Sequence, residues 1–239
     1  MSDGDGLRAF LERLLGWDDL SAVDRALRSV DLAATHKAAL VLCGDGDLVQ
    51  IARGLHRRVL GDERPFVLCD PWRRDTDARA PLENHKTGME ALRSSAGGSV
   101  CMRSERLPRD FADFVVALRD ASARVHLILC GPRLPECTEL VMVPIRIPAM
   151  STRRHELDRL IGEYAHDAAI TLRSLVPFTQ TDRDWVRMHS ATSLPEIEKG
   201  AWRLVALREA GTIARAAELL GMSHAALGEW FARRRTTRT

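Results

Sequence analysis

The segment that decides the fold is residues 38–70, AALVLCGDGDLVQIARGLHRRVLGDERPFVLCD. It begins with a short apolar run at 38–43, which ends in a Gly-Asp-Gly turn. Helical periodicity follows over 48–59, and a second apolar run occupies 65–69. Short apolar runs bounded by turn residues indicate buried strands, and the periodic stretch between them indicates a helix. The segment therefore predicts a strand–turn–helix–strand unit.

The same alternation continues on both sides of this segment. Further strand-like apolar runs lie at 99–102, 125–130 and 140–147. Residues 7–34 and 111–119 have helical periodicity, and Ser21 is expected to cap the second helix of the first of these stretches. The polar stretch 73–95 is expected to be rich in loops. Strands that alternate with helices predict an α/β fold with a mainly parallel sheet.

From about residue 150 onward the strand signals stop. The spacing of apolar residues predicts one helix over 153–173, a second segment that begins at Thr179, and a third that begins near Pro195. This change of pattern places a domain boundary near residue 150.

The composition excludes several classes of protein. Of 239 residues, 45% are hydrophobic and 28% are charged, which is typical of globular chains. No apolar run approaches the roughly 20 residues that span a bilayer, and the N-terminus does not resemble a signal peptide. The five cysteines include no CxxC pair, so no zinc site or disulfide framework is indicated. We expect a cytoplasmic protein with no membrane partner and no metal.

The net charge of +2 conceals an uneven distribution of charge. Residues 201–239 contain seven arginines and three glutamates, so the rest of the chain carries a small negative charge. Such asymmetry indicates a basic C-terminal module on a nearly neutral body.

The most specific motif lies inside this basic module, at residues 211–230, GTIARAAELLGMSHAALGEW. The alanines at 216–217 allow two helices to cross closely, Gly221 allows a tight turn, and Ser223 can cap the second helix. The pattern predicts a helix-turn-helix whose second helix would enter the DNA major groove. The alternative is a helical hairpin with a solvated basic tail.

Residues 194–235 resemble the C-terminal Fis-type domain of bacterial enhancer-binding activators. The resemblance implies that the second helix faces duplex DNA and that the arginines behind it contact phosphates. That family commonly has Arg, Thr or Lys on the exposed helix face, whereas positions 224, 226, 228 and 229 hold His, Ala, Gly and Glu. Backbone contacts are therefore expected to dominate. The predicted DNA-binding residues are Arg215, Ser223, His224, Ala225, Gly228, Glu229, Arg233, Arg234 and Arg235.

The body of the chain resembles the AAA+ ATPase core of sigma-54-dependent activators. Residues 38–70 are similar to that family's phosphate-loop unit, and residues 96–102 to the strand that carries its second acidic motif. The resemblance implies an AAA+-like parallel sheet with flanking helices over 1–149. An all-helical lid over 150–193 and a helix-turn-helix domain over 194–239 would follow.

The nucleotide-handling positions depart from that family. The degenerate phosphate loop consists of Gly44, Asp45, Gly46 and Asp47, and the degenerate acidic motif of Arg103 and Ser104. The loop has no lysine, and its aspartates would repel phosphate. We therefore expect no catalytic residue, no cofactor and no enzymatic activity. The two aspartates are either ordinary turn residues or ligands of a cation or cationic molecule.

Together these observations predict a DNA-binding transcriptional regulator or nucleoid-associated protein with a pseudo-ATPase scaffold. It would neither hydrolyse ATP nor activate sigma-54 polymerase. Its partner would be double-stranded DNA, with a possible protein partner at the core. A homodimer or higher oligomer is expected, because two-fold sites need recognition helices about 34 Å apart. The alternatives are a protein-interaction adaptor that no longer binds DNA and an ATPase with a rewired phosphate loop.

Overall fold

The computed structural model describes residues 4–36, 38–73, 82–120, 124–134 and 140–235. The chain divides into two compact units, of which the first ends at Ala149 and the second begins at Met150.

In the first unit the described residues form five helices and six strands. In chain order these are α1 (Gly4–Leu15), α2 (Leu20–His36), β1 (Ala39–Cys43), α3 (Val49–Leu60), β2 (Phe66–Cys69), β3 (Asn84–His85), α4 (Gly88–Ser94), β4 (Ser99–Arg103), α5 (Phe111–Arg119), β5 (His126–Gly131) and β6 (Met142–Arg146). The strands form one sheet in the order β3-β2-β4-β5-β1-β6. Every described strand pair is parallel, so the predicted α/β fold is confirmed.

Strand β1 is apolar along its whole length because both faces of the sheet are covered there. All five residues of β1 are buried, and Leu40 lies opposite Ile128 of β5 and Val143 of β6. Strands buried on both faces give the continuous apolar runs that the sequence displays. Pro144 lies in β6 at one edge of the sheet, the position where a missing N–H group costs least. Because the strands are parallel, their carboxyl ends share one edge, and the polar residues that follow them meet there.

Two local expectations for this unit are wrong. Ser21 does not cap α2, because Asp19 Oδ1 accepts the hydrogen bond from the Ala22 N–H at 2.9 Å. The described part of the stretch 73–95, expected to be rich in loops, contains β3 and α4, and Thr87 Oγ1 caps α4 by accepting from the Glu90 N–H at 3.3 Å. Residues 74–81 of this stretch lie outside the described residues. A two-residue strand and a seven-residue helix are too short to give a readable period.

The second unit is helical throughout the part that the structure describes. After a 3-10 turn at Arg154–Glu156 its helices are α6 (Leu157–Leu172), α7 (Gln180–His189), α8 (Leu194–Ala210), α9 (Ile213–Leu219) and α10 (His224–Arg235). Thr179 begins α7 with a capping box, as expected from the sequence. Helix α8 packs along α6, so the segments predicted to be a lid and a helix-turn-helix belong to one compact unit. The boundary between them at residue 193 stays a prediction. None of the described helices is long and apolar enough to cross a membrane.

Candidate functional site

Helices α9 and α10 are joined by the tight turn that the motif predicts. Gly221 has a φ of 61°, a left-handed conformation that costs other residues about 1–2 kcal/mol. Ser223 Oγ accepts a hydrogen bond from the Ala226 N–H at 3.2 Å and so caps α10. The small residues Ala216 and Ala217 are buried, as is Leu227 on the inner face of α10. The expected turn and cap are present, and α9 and α10 are in contact.

The outer side of this hairpin is exposed. Ser223, His224 and Ala225, at the beginning of α10, are exposed, and so is Glu229. Gly228 is half-buried, and Arg215 on α9 is exposed. These predicted DNA-binding residues are therefore accessible to solvent, apart from the half-buried Gly228. Whether this surface contacts DNA stays a prediction.

The arginines at the end of α10 are not equivalent. Arg233 is exposed and lies 3.8 Å from the Glu229 carboxylate, so it offsets the acid on the proposed face. Arg234 is folded back: only 22% of its side chain is exposed, and it forms an ion pair with Glu196 of α8. The side chain of Arg235 lies outside the described residues. A uniform cluster of three phosphate-binding arginines is therefore a poor description of this helix end.

An aromatic cluster anchors α10 to the rest of the unit. Trp230 lies between two guanidinium groups, with Arg234 4.2 Å and Arg203 4.4 Å from its ring centre. Its ring also lies 5.4 Å from the Trp185 ring of α7, and Phe231 lies beside both. Cation–π and aromatic contacts of this kind contribute about 0.5–2 kcal/mol each. The sequence analysis missed this cluster, because its members are far apart in the chain.

A second polar site lies where β1, β2 and β4 end. Arg103, the last residue of β4, donates to both oxygens of Asp47 at 3.0 and 2.9 Å and also pairs with Asp70. Asp70 follows β2, and its side chain is completely buried. Arg106 extends the group, with its Nη1 3.8 Å from Asp70 Oδ2. Two acids and two bases therefore form one ion cluster at the strand ends.

The cluster joins the two sites that the sequence marked as degenerate. Asp47 also accepts a hydrogen bond from the Val49 N–H at 3.3 Å, so it holds the first turn of α3 to β4 through Arg103. Burial by itself lowers the pKa of Arg103, but the interactions with Asp47 and then Asp70 outweigh burial and raise it. The cation beside Asp47 is therefore a guanidinium of the chain itself.

The remaining residues of the two degenerate motifs have other local environments. Asp45 is exposed, Gly46 has a φ of 83°, and Gly44 donates its N–H to the Gly131 carbonyl at 3.0 Å. Ser104 donates its N–H to the Cys130 carbonyl at 2.8 Å and continues the ladder between β4 and β5. Asp70 was missed, although a charged residue directly after a buried strand is a usable signal for a strand-end site.

Comparison with known proteins places the fold. No protein-family profile and no curated protein sequence matches this chain. Among solved structures it is similar to NtrX from Brucella abortus in complexes with ADP and with ATP, at 14% and 13% identity and TM-scores of 0.50 and 0.51. The similarity covers 90% of this chain and 68% of NtrX. It is also similar to the Holliday junction branch migration motor RuvB from Thermotoga maritima, at 11% identity and a TM-score of 0.49, over 94% of this chain and 73% of RuvB. The fold is AAA+-like: a parallel sheet with flanking helices, followed by helices.

These comparisons correct the expectation that the chain is not an enzyme. NtrX, whose fold is similar, was solved in complexes with ADP and with ATP, and the departures in the loop are therefore not sufficient grounds to expect no enzymatic activity. The expectation rested on a missing lysine and a missing acidic pair, whereas the structure places Arg106 beside Arg103 at the same edge of the sheet.

Proposed function

We propose that the chain is a DNA-binding transcriptional regulator or nucleoid-associated protein, in which α10 enters the major groove. The supporting observation is the capped and exposed beginning of α10 after a left-handed turn. In helix-turn-helix proteins the first residues of the second helix contact the bases. Ser223, His224 and Ala225 occupy those positions here.

The charges favour contacts to the DNA backbone over base recognition. Arg215 and Arg233 are both exposed, and the Arg233 pairing reduces the repulsion that Glu229 would exert on phosphates. Phosphate contacts fix position on the duplex but carry little sequence information. The protein is therefore proposed to bind many sites with modest preference, in the cytoplasm and associated with the nucleoid.

A single hairpin contacts one half-site, so we propose that two copies act together. Two-fold DNA sites place recognition helices about 34 Å apart, which a homodimer or higher oligomer provides. The AAA+-like unit is the proposed scaffold for this assembly and for docking of a protein partner.

The test measures binding of a fluorescent duplex by anisotropy across a range of salt concentrations. Each phosphate contact contributes about −0.9 to the slope of log K against log salt. Arg215→Ala and Arg233→Ala should each make that slope shallower by about one contact per subunit. Arg159→Ala on α6, also exposed, is the matched control and should leave the slope unchanged. Point variants are preferred to a truncation that removes α8 and the helices after it, because α8 packs along α6.

The opposite result is equally clear. If the wild-type chain does not bind duplex DNA at about 50 mM salt, where such contacts are strong, the proposal fails and the protein-interaction adaptor takes its place. A genome-wide crosslinking map then separates discrete target sites from broad coverage.

A second candidate function is nucleotide binding through the rewired loop. It is favoured by the fold shared with NtrX in its ADP and ATP complexes, together with Arg103 and Arg106 at the strand edge. Guanidinium groups bind phosphate well, and Arg103 would exchange Asp47 for a phosphate oxygen. Nucleotide turnover would then be an activity of this edge of the sheet.

Calorimetric titration with ATP and ADP, with and without magnesium, tests this candidate. Asp47→Asn removes a negative charge beside the phosphates and should tighten binding, whereas Arg103→Gln should weaken it. Phosphate release by the wild-type chain and both variants reports hydrolysis. Absence of binding, or equal affinity in all three proteins, would exclude this loop as the site.

A further inference from the structure

The first unit contains a pocket that neither candidate function uses. Its volume is about 440 Å³, within the range of about 300–1,000 Å³ for small-molecule sites. It lies where the chain leaves β2 and where α4 and α5 begin. The lining residues are Pro71, Trp72, Lys86, Thr87, Arg109 and Asp110.

Trp72 is the most unusual of these residues. The residue is 72% exposed, although tryptophan is highly buried on average. Its backbone is held in place, because its N–H donates to the buried Asp70 carboxylate at 3.0 Å. A fixed backbone with an exposed indole provides a flat apolar surface on which an aromatic ring can stack.

Two cations share the pocket with this indole. Lys86 Nζ donates to the Arg73 carbonyl at 2.6 Å, which uses one of its three donors and leaves two for a ligand. Arg109 is exposed and directly precedes Asp110. Both cations are therefore placed to contact an anion that enters the pocket.

Asp110, the acid of the pocket, already accepts hydrogen bonds with both of its carboxylate oxygens. Its two carboxylate oxygens accept hydrogen bonds from the Gly88 and Met89 N–H groups at 2.8 and 3.0 Å. Burial raises the pKa of Asp110, but these backbone hydrogen bonds outweigh it and the pKa is lowered. Asp110 thus remains ionised with its oxygens turned to α4, and the pocket keeps a net positive charge.

We propose that this pocket binds a nucleotide unit, with the base stacked on Trp72 and the phosphate held by Lys86 and Arg109. An aromatic face beside paired cations is the chemistry that recognises a base joined to a phosphate. A free mononucleotide and one unit of single-stranded DNA both present it. Neither the base alone nor phosphate alone satisfies both halves of the site.

The experiment titrates the full chain with four probes by calorimetry: adenosine monophosphate, adenosine, inorganic phosphate and a short oligo-dA strand. The monophosphate should bind at least about tenfold more tightly than adenosine or phosphate alone, since it gains both contacts. Trp72→Ala should weaken it about tenfold, within the range for loss of base stacking, whereas Trp72→Phe should keep most of the affinity. An oligo-dA strand that binds about tenfold more tightly than the monophosphate, with the same response to the variants, identifies single-stranded DNA as the source.

Charge variants locate the site. Arg109→Ala should weaken binding about five- to tenfold, in line with loss of a charge-assisted contact, while Arg119→Ala, at the exposed end of α5, should have no effect. Asp47→Asn should also have no effect, because it alters only the strand-edge cluster. Tighter binding in Asp47→Asn with no loss in Trp72→Ala would overturn the proposal and support the rewired loop. Absence of binding by both the monophosphate and the oligo-dA strand would overturn it as well.

Discussion

Replacing Arg103 by glutamine tests how much the strand-edge cluster contributes to stability. The Asp70 side chain is completely buried, and its nearest cation is the Arg103 guanidinium. In Arg103→Gln the Asp70 carboxylate still accepts the hydrogen bond from the Trp72 N–H at 3.0 Å, and the half-exposed Arg106 guanidinium still lies 3.8 Å away. Removing one partner of a buried pair costs about 3–5 kcal/mol. Because Arg106 compensates in part, we expect a loss of about 3 kcal/mol in the free energy of unfolding of the first unit.

Asp47→Asn is the matched comparison, since it removes the other acid from the same guanidinium. Asp47 is 48% exposed, and ion pairs of exposed groups contribute about 0–1 kcal/mol. The expected loss is therefore about 0.5 kcal/mol. Adding Asp70→Asn to Arg103→Gln removes the stranded charge, so the double variant should be about 1–2 kcal/mol more stable than Arg103→Gln alone.

The assay must report on the first unit by itself, because a chain of two units need not unfold in one step. Hydrogen exchange of peptides from β2 and β4, followed across a denaturant series, gives that local free energy. If Arg103→Gln costs no more than Asp47→Asn, or if Asp70→Asn recovers nothing in the Arg103→Gln background, then Asp70 is not held by a buried ion pair and the argument is wrong.

Three further predictions concern other parts of the molecule. Gly221→Ala should destabilise the second unit by about 1–2 kcal/mol, because the φ of Gly221 is 61°. Gly228→Ala should instead stabilise that unit by about 0.5–1 kcal/mol, because Gly228 lies in the interior of α10 and the added methyl group has no atom within 4 Å. Thermal unfolding of the two variants measures both effects. Glu196→Gln should release Arg234 and steepen the salt dependence of DNA binding by about one contact per subunit, and an unchanged slope would show that Arg234 stays on Trp230. His56 is buried, and burial lowers its pKa in the folded state. As the pH falls, the unfolded state therefore binds more protons than the folded state. Its contribution to stability should be complete above the unfolded pKa of about 6.5 and lost as the pH falls toward the folded pKa. Denaturant titrations at several pH values should show this loss, and it should be smaller in His56→Gln.

Much of the first unit was predictable because its strands are continuous apolar runs. The runs at 38–43, 65–69 and 99–102 each correspond to a buried parallel strand, since a strand covered on both faces leaves little room for polar residues. The short elements between Asn84 and Ser94 escaped prediction because they contain less than two turns of helix or one full alternation of a strand.

The candidate sites also contain a part that the local sequence predicted and a part that it did not. The turn at Gly221 and the cap at Ser223 depend on residues within three positions of each other, so the local sequence was enough to predict them. The identity of the cation beside Asp47 was not predictable, because Arg103 lies 56 residues away in sequence.

Neighbouring residues were enough to predict the longer strands and helices and the turn and cap between α9 and α10, because period, turn and cap are local properties of a sequence. How the charges are used depends on the tertiary structure. It pairs Arg103 with a buried acid 33 residues away and Arg234 with an acid 38 residues away. The desolvation cost of a buried charge is offset only where a partner of opposite charge is close in space. These partners come together only when the strand ends and the helices are packed.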